Sequence, residues 1–221
     1  MEGALDDLLR HPALWRAGER VGEDAHGWRA AAVTSGFAAL DQHLPGGGWP
    51  LGALTEVLHE PAGIGELSLF LPALAQLCAE GRWLAWVAPP YRLVAPALEA
   101  GGVRPERVLV IRQTQSTRTC WAVEQALRSG ACGAVLWWPG SGARSGQGFR
   151  ELRRLQLAAQ EGHSLGLVFR PAQAARESSP SALRLLLRTR EQGLEVVVLK
   201  SRGGRRVRVM LDARDLAFRS P

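Results

Sequence analysis

Five short apolar runs, separated by four stretches of helical spacing, constrain this chain more than any other feature. The runs are 53–58 (ALTEVL), 83–88 (WLAWVA), 107–111 (RVLVI), 133–138 (GAVLWW) and 165–169 (LGLVF). Between them, residues 66–80, 91–100, 117–129 and 148–161 carry the spacing of helices. Strands alternating with helices of that length imply βαβ units, and hence a parallel sheet covered on both faces. Near-continuous apolar strands, in place of alternating ones, agree with burial on both sides.

The two ends depart from this rhythm. Residues 4–10 (ALDDLLR) have helical spacing at Leu5, Leu8 and Leu9, and Pro12 stops the continuation. A polar connector follows from Ala17 to Arg29. The expected organisation is therefore an N-terminal helical arm and linker over 1–33 and one domain over 34–221. Thr34 and Ser35 are placed to cap a short helix through Leu44, and P-G-G-G (45–48) then forces a turn. After a loop over 174–181, three strand-like runs follow without helices between them: 182–189, 194–200 and 205–211. S-R-G-G (201–204) between the last two is a hairpin signal, so the sheet gains antiparallel strands at one end.

Composition excludes several classes. Cys78, Cys120 and Cys132 are scattered, which argues against a disulfide framework or a zinc cluster and for reduced, buried thiols. His11, His26, His43, His59 and His163 show no metal-ligand spacing. Asp6 and Asp7 stand where a secretory signal would carry positive charge, and the apolar stretch 67–79 is too short to span a bilayer. A cytoplasmic protein with no membrane contact is expected. The net charge is +6, with Lys200 the one lysine among 27 basic residues. Arginine suits phosphate, carboxylate and aromatic faces, although the excess is equally what a compositional bias would leave.

Catalytic groups are missing where this architecture would put them. The loop after the first core strand is the usual phosphate site, with a G-x-x-x-x-G-K-[ST] pattern. Aligned on Gly65, the eight positions run from Glu60 through Gly63 to Leu67: Glu60 replaces the first glycine, Glu66 the lysine and Leu67 the hydroxyl. A lysine about 4 Å from a phosphate oxygen gains about 4 kcal/mol at an effective dielectric of about 20; a carboxylate there reverses the sign. Glu66 is instead suited to the first turn of a helix, where the dipole favours an acid. Strand 133–138 runs into Pro139–Gly140 and strand 83–88 into Pro89–Pro90, without the carboxylate that would hold magnesium or orient water. No catalytic residue, cofactor or metal is expected.

The basic C-terminal hairpin is the strongest positive feature. Lys200, Arg202, Arg205, Arg206 and Arg208 crowd a glycine-containing turn. Alternation puts Val207, Val209 and Leu211 on one face and Arg206 and Arg208 on the other. This is either a solvated edge whose charges discourage strand pairing or a patch for DNA or an acidic protein surface. Helix 148–161 repeats the pattern, with Phe149, Leu152, Leu155 and Ala159 set to face inward and Arg150, Arg153 and Arg154 outward.

The run SGFAALDQHLPGGGWPLGALTEVL (35–58) resembles the approach to the phosphate-loop strand in RecA recombinases. Together with LWRA (14–17) and GIGELSLFLPALAQL (63–77), it is similar to the ImuA family of RecA-related accessory proteins in damage-induced mutagenesis. The resemblance implies a RecA-like, mostly parallel twisted sheet with helices on both faces and a C-terminal antiparallel hairpin. It implies a non-catalytic scaffold in SOS-induced translesion DNA synthesis and DNA repair. The implied partners are an ImuB-type inactive Y-family polymerase, an error-prone replicative-type DNA polymerase, RecA, and DNA through the basic patch. Two rival functions accompany it. One is inhibition of the division protein FtsZ in the manner of SulA, since some relatives resemble that inhibitor; the other is a DNA-dependent ATPase.

Overall fold

The computed structural model describes residues 31–60, 65–112, 116–139, 148–201 and 205–216. The 4–10 helix and its connector lie outside the described residues, as do Gly63 and Arg202. Ten strands are described: β1 (Ala32–Val33), β2 (Trp49–Pro50), β3 (Ala53–His59), β4 (Trp83–Val87), β5 (Val108–Ile111), β6 (Cys132–Trp137), β7 (Leu165–Pro171), β8 (Leu183–Arg190), β9 (Gly193–Ser201) and β10 (Val207–Asp212). The helices are α1 (Ala38–Asp41), α2 (Leu71–Ala79), α3 (Ala95–Ala100), α4 (Ser116–Arg128), α5 (Phe149–Gly162) and α6 (Ala213–Leu216).

Eight strands form one sheet in the order β10-β9-β8-β3-β7-β6-β4-β5, and β1 and β2 pair separately. All pairings from β8 to β5 are parallel, while β9 and β10 are antiparallel additions. The chain is thus α/β with a mixed, mostly parallel sheet. Of the three strand-like runs expected after residue 171, the last two form the antiparallel hairpin, β9 and β10. β8 lies parallel to β3, reached from β7 by a short 3-10 turn, Ala172–Arg176, instead of a helix.

The faces of the sheet are covered unequally. On the first, Leu71, Leu74, Leu77 and Cys78 of α2 and Leu98 of α3 bury against Leu84, Trp86, Leu136 and Leu167. Leu40 of α1, with Val33, Leu44 and Trp49, joins the same cluster as Leu185, Val196, Val198, Val209 and Leu211 of β8–β10. On the second face, Cys120, Val123 and Leu127 of α4 and Leu152, Leu155, Ala158 and Ala159 of α5 pack on Leu54, Val87, Val135, Trp137 and Val168. Gly162 makes this fit possible: a Cβ there would sit 1.9 Å from the Leu127 carbonyl oxygen. Phe149, expected to face inward, is instead 52% exposed, because it occupies the first position of α5, ahead of the turn that reaches the sheet.

Ser35 and Thr34 do not cap α1 through a side chain. Asp41 reaches back instead: its Oδ1 accepts from the Ser35 amide at 2.9 Å and its Oδ2 from the Thr34 hydroxyl at 2.6 Å. Gln156 is a second polar fastener, accepting from the Leu54 amide at 3.0 Å across the interface of α5 and β3.

Candidate functional site

β3 ends at His59, and the residues that follow occupy the place of a phosphate loop. Glu60 is exposed, Gly65 has φ +78, and its carbonyl accepts from the Ser68 amide at 3.0 Å. The helix expected from residue 66 does not begin until Leu71, with Pro72 in its first turn. Glu66 is therefore in a turn and not at a helix N-terminus, so the dipole argument for it fails. Pro72 accounts for the late start, since proline is favoured in a first turn and disfavoured deeper in a helix.

Glu66 is buried and accepts a hydrogen bond from the Tyr91 hydroxyl at 3.4 Å. Burial and the Glu66 carboxylate both push the Tyr91 phenol far above its ordinary range, so it stays a donor. Behind this pair the space is filled by rings. Tyr91 meets Trp138 edge-on with centroids 5.8 Å apart, and Trp138 stacks flat on Phe169 at 4.5 Å. Phe169 takes Phe70 and His59 on its edges at 6.0 and 6.2 Å, and Phe70 leans on Trp49 at 4.7 Å. Trp137 and Trp138 are both buried. The aromatic end of β6 is core, then, and not an exposed binding edge. Ala88, directly after β4, has φ 52, a left-handed conformation uncommon for a residue with a Cβ. The crevice at the C-terminal ends of the strands is packed with apolar volume around one acid–phenol pair.

Among the described residues no three His, Cys, Asp or Glu side chains converge as a metal site. Nor is any helix long and apolar enough to cross a membrane.

A second polar centre, unseen in the sequence, lies under β3 on the second face. Glu56 is fully buried, with Arg170 Nη1 2.8 Å from Oε2 and the Ser179 hydroxyl donating to Oε1. Arg184 Nε approaches Oε1 at 3.4 Å, close enough for charge attraction though not aligned as a hydrogen bond. Arg170 also reaches Glu177 at 2.6 Å, and Arg184 donates to the carbonyls of Glu177 and Ala174 at 2.9 and 2.7 Å. Burial pushes the Glu56 carboxyl up, but the bonds from Ser179 and Arg170 and the charge of Arg184 outweigh it. The group is held below the usual carboxylate range. Such an arrangement ties β3, β7, β8 and the 3-10 turn together; it offers no open position for a substrate. Only a register, Glu56 opposite Arg184, reveals it, and strand spacing alone does not supply one.

The basic hairpin residues are only partly brought together. Lys200 donates to the Ser179 carbonyl at 2.8 Å and Arg206 to the Leu199 carbonyl at 3.4 Å. Arg205 and Arg208 are exposed.

A family model described as "Cell division inhibitor SulA" matches residues 52–166, from the turn before β3 to the start of β7. The "Cell division inhibitor SulA" of Photorhabdus laumondii is 35% identical over 116 residues, which are 52% of this chain and 63% of that protein. Those of Klebsiella aerogenes and Edwardsiella piscicida are 31% and 38% identical, with 54% and 48% of this chain and 69% and 60% of theirs covered. The chain thus spans somewhat under two thirds of the first of these relatives.

These matches overturn the resemblance to ImuA. With it go the role in translesion synthesis and DNA repair and the polymerase, RecA and DNA partners it implied. The run 35–58 that carried it builds α1, β2 and most of β3, a frame fixed by turn geometry and core packing. Such a frame records architecture and not a partner. The non-catalytic reading stands, since the matched family is described as an inhibitor and not as an enzyme. By the span and identity of these matches, the chain belongs to the SulA family.

Proposed function

We propose that this protein is an SOS-induced, cytoplasmic inhibitor of cell division that acts by binding FtsZ. The observation that carries the reading is where the family match falls. Among the described residues, six of seven exposed large apolar side chains lie inside 52–166: Trp83, Val94, Leu109, Trp121, Phe149 and Leu157. Singly exposed apolar residues are ordinary, but Trp83 and Leu109 are neighbours on the outermost strands. β5 is the last strand of the sheet, and its Leu109 pairs with Ala85, two residues along β4 from Trp83. The Arg107 guanidinium lies over the Trp83 ring at 5.4 Å, a cation–aromatic pair of the kind enriched at binding hot spots. The strand order supports a RecA-like core over 34–221 whose nucleotide loop, from Glu60 through Gly65 and Glu66 to Leu67, has been replaced by packing. The arm expected over 1–33 is an appendage in this reading except for Ala32 and Val33, which pair with β2 and belong with the domain.

The test is FtsZ assembly followed by light scattering, with GTP turnover measured in parallel. Added protein is expected to suppress both, and its overexpression to give filamentous cells. Leu109→Asp and Trp83→Ala should each weaken inhibition about tenfold or more, the loss of a hot-spot contact. Assembly left untouched by stoichiometric wild-type protein would sink the proposal.

A further inference from the structure

The second face of β8–β10 has no helix over it among the described residues. α4 and α5 cover that face from β4 to β3, and the 3-10 turn covers the Glu56 centre. Past them the register is explicit. Leu186 stands opposite Val197, and Val197 opposite Arg208; Arg188 stands opposite Glu195, and Glu195 opposite Met210. Leu186 and Val197 are half-buried, while Arg188, Arg190, Arg208 and Met210 are exposed. Of the acids here, Glu195 is already engaged by Arg190, with Arg188 Nη1 at 3.9 Å, and Asp212 at the end of β10 accepts from the Arg214 amide at 2.8 Å. A groove of about 370 Å³ adjoins these rows, lined by Leu186, Arg188 and, from the turn, Ala172 and Arg176. Apart from Glu60 at the rim of the groove, all of it lies beyond residue 166, outside the span shared with the family.

We infer that this sheet face is a second docking surface, and that its occupant is an acidic amphipathic helix of a partner protein. Three strands at about 4.8 Å spacing present a strip about 10 Å wide, the diameter of one helix. Such a helix would take the vacant place beside α5 and complete the helical layer. Its apolar stripe would cover Leu186, Val197 and Met210, and its flanking carboxylates would meet Arg188, Arg190 and Arg208. A single strand of nucleic acid fits less well: tight binding uses aromatic side chains for base stacking, and these rows hold none. The hairpin read from sequence is thereby redrawn. Arg208 stays, Arg188 and Arg190 of β8 join it, and Lys200 is occupied with Ser179.

The experiment uses the full chain and a fluorescein-labelled peptide of about 18 residues, with Leu at helical spacing and Glu on both flanks. A scrambled peptide and an oligothymidylate of about 20 nucleotides serve as comparison probes. Anisotropy is expected to show saturable binding of the helical peptide, weakened about tenfold or more by the double change Arg188→Glu and Arg208→Glu. Val197→Asp should weaken it through the apolar row. Arg118→Glu with Arg150→Glu, the same charge change on exposed positions of α4 and α5, should leave it within about twofold. FtsZ inhibition should survive the Arg188/Arg208 change, since the two surfaces are distinct. Equal binding of the scrambled peptide, equal loss in the control pair, or no saturable binding would each overturn the inference. So would oligothymidylate binding that is tighter and that vanishes with Arg188 and Arg208.

Discussion

Among the described residues the sheet is closed on one side of β3 and open on the other. From β3 to β4 both faces carry helices, and the ends of the strands are stoppered by Trp138, Phe169, Phe70 and Tyr91. From β8 to β10 the first face is as well buried, yet the second presents Arg188, Arg190, Arg208 and Met210 to solvent. In the closed half Glu66 is paired with Tyr91, while the indole N–H groups of Trp49, Trp86, Trp137 and Trp138 are buried without a hydrogen-bond partner. At the boundary, Glu56, Arg170 and Arg184 hold the halves together by charge. The contrast separates what is spent on stability from what remains for recognition.

That contrast can be broken by measurement. Trp138→Ala should have the largest effect, about 3–5 kcal/mol lost in urea unfolding, because it empties the centre of the ring stack. Glu56→Gln should cost about 3 kcal/mol by removing the buried carboxylate that Arg170 and Arg184 share, Arg170 keeping only the half-exposed Glu177. A smaller loss would show that water reaches the boundary. The same centre fixes a pH dependence. Glu56 is depressed in the folded chain, so its contribution is complete above the unfolded carboxylate value of about 4.5 and is lost as pH falls below it. An unfolding midpoint followed by tryptophan fluorescence should therefore drop in acid, and less so in Glu56→Gln. Tyr91→Phe should cost about 1–3 kcal/mol, since it strands a buried Glu66 oxygen. Arg208→Ala should change stability by less than about 0.5 kcal/mol. A loss comparable to that of Trp138→Ala would erase the asymmetry.

Much of this was readable beforehand. The strand runs at 53–58, 83–88, 133–138 and 165–169 match β3, β4, β6 and β7 within a residue or two, because continuous apolar runs have few other uses. Helices 117–129 and 148–161 match α4 and α5 as closely, their apolar spacing being unambiguous. The helix starts at 66 and 91 were not legible. Pro72 and Pro96 each sit in the first turn of their helix and fix the late starts, and propensity gives little weight to where a chain leaves a turn. The parallel direction of β8 was hidden too. A strand's residues do not state which way it runs, and the short 3-10 connection looks like a hairpin loop in one dimension.

The candidate site divides in the same way. Glu66 and Leu67 in the loop, and Pro139 after β6, stand where a phosphate site would carry an ammonium, a hydroxyl and a carboxylate. What fills that space, and which arginines remain available, depended on contacts between residues far apart in the chain. Glu56 and Arg170 are 114 positions apart and share a hydrogen bond of 2.8 Å. By itself the sequence determined the layered α/β class and that the loop after β3 carries neither the lysine nor the hydroxyl of a phosphate loop, because periodicity and side-chain chemistry are local properties. Only the tertiary structure decided that Lys200 is bound to Ser179, that Glu56 is a buried anchor and that Arg188 and Arg208 share an open face. Burial and charge pairing are set by register, and register is a property of the assembled sheet.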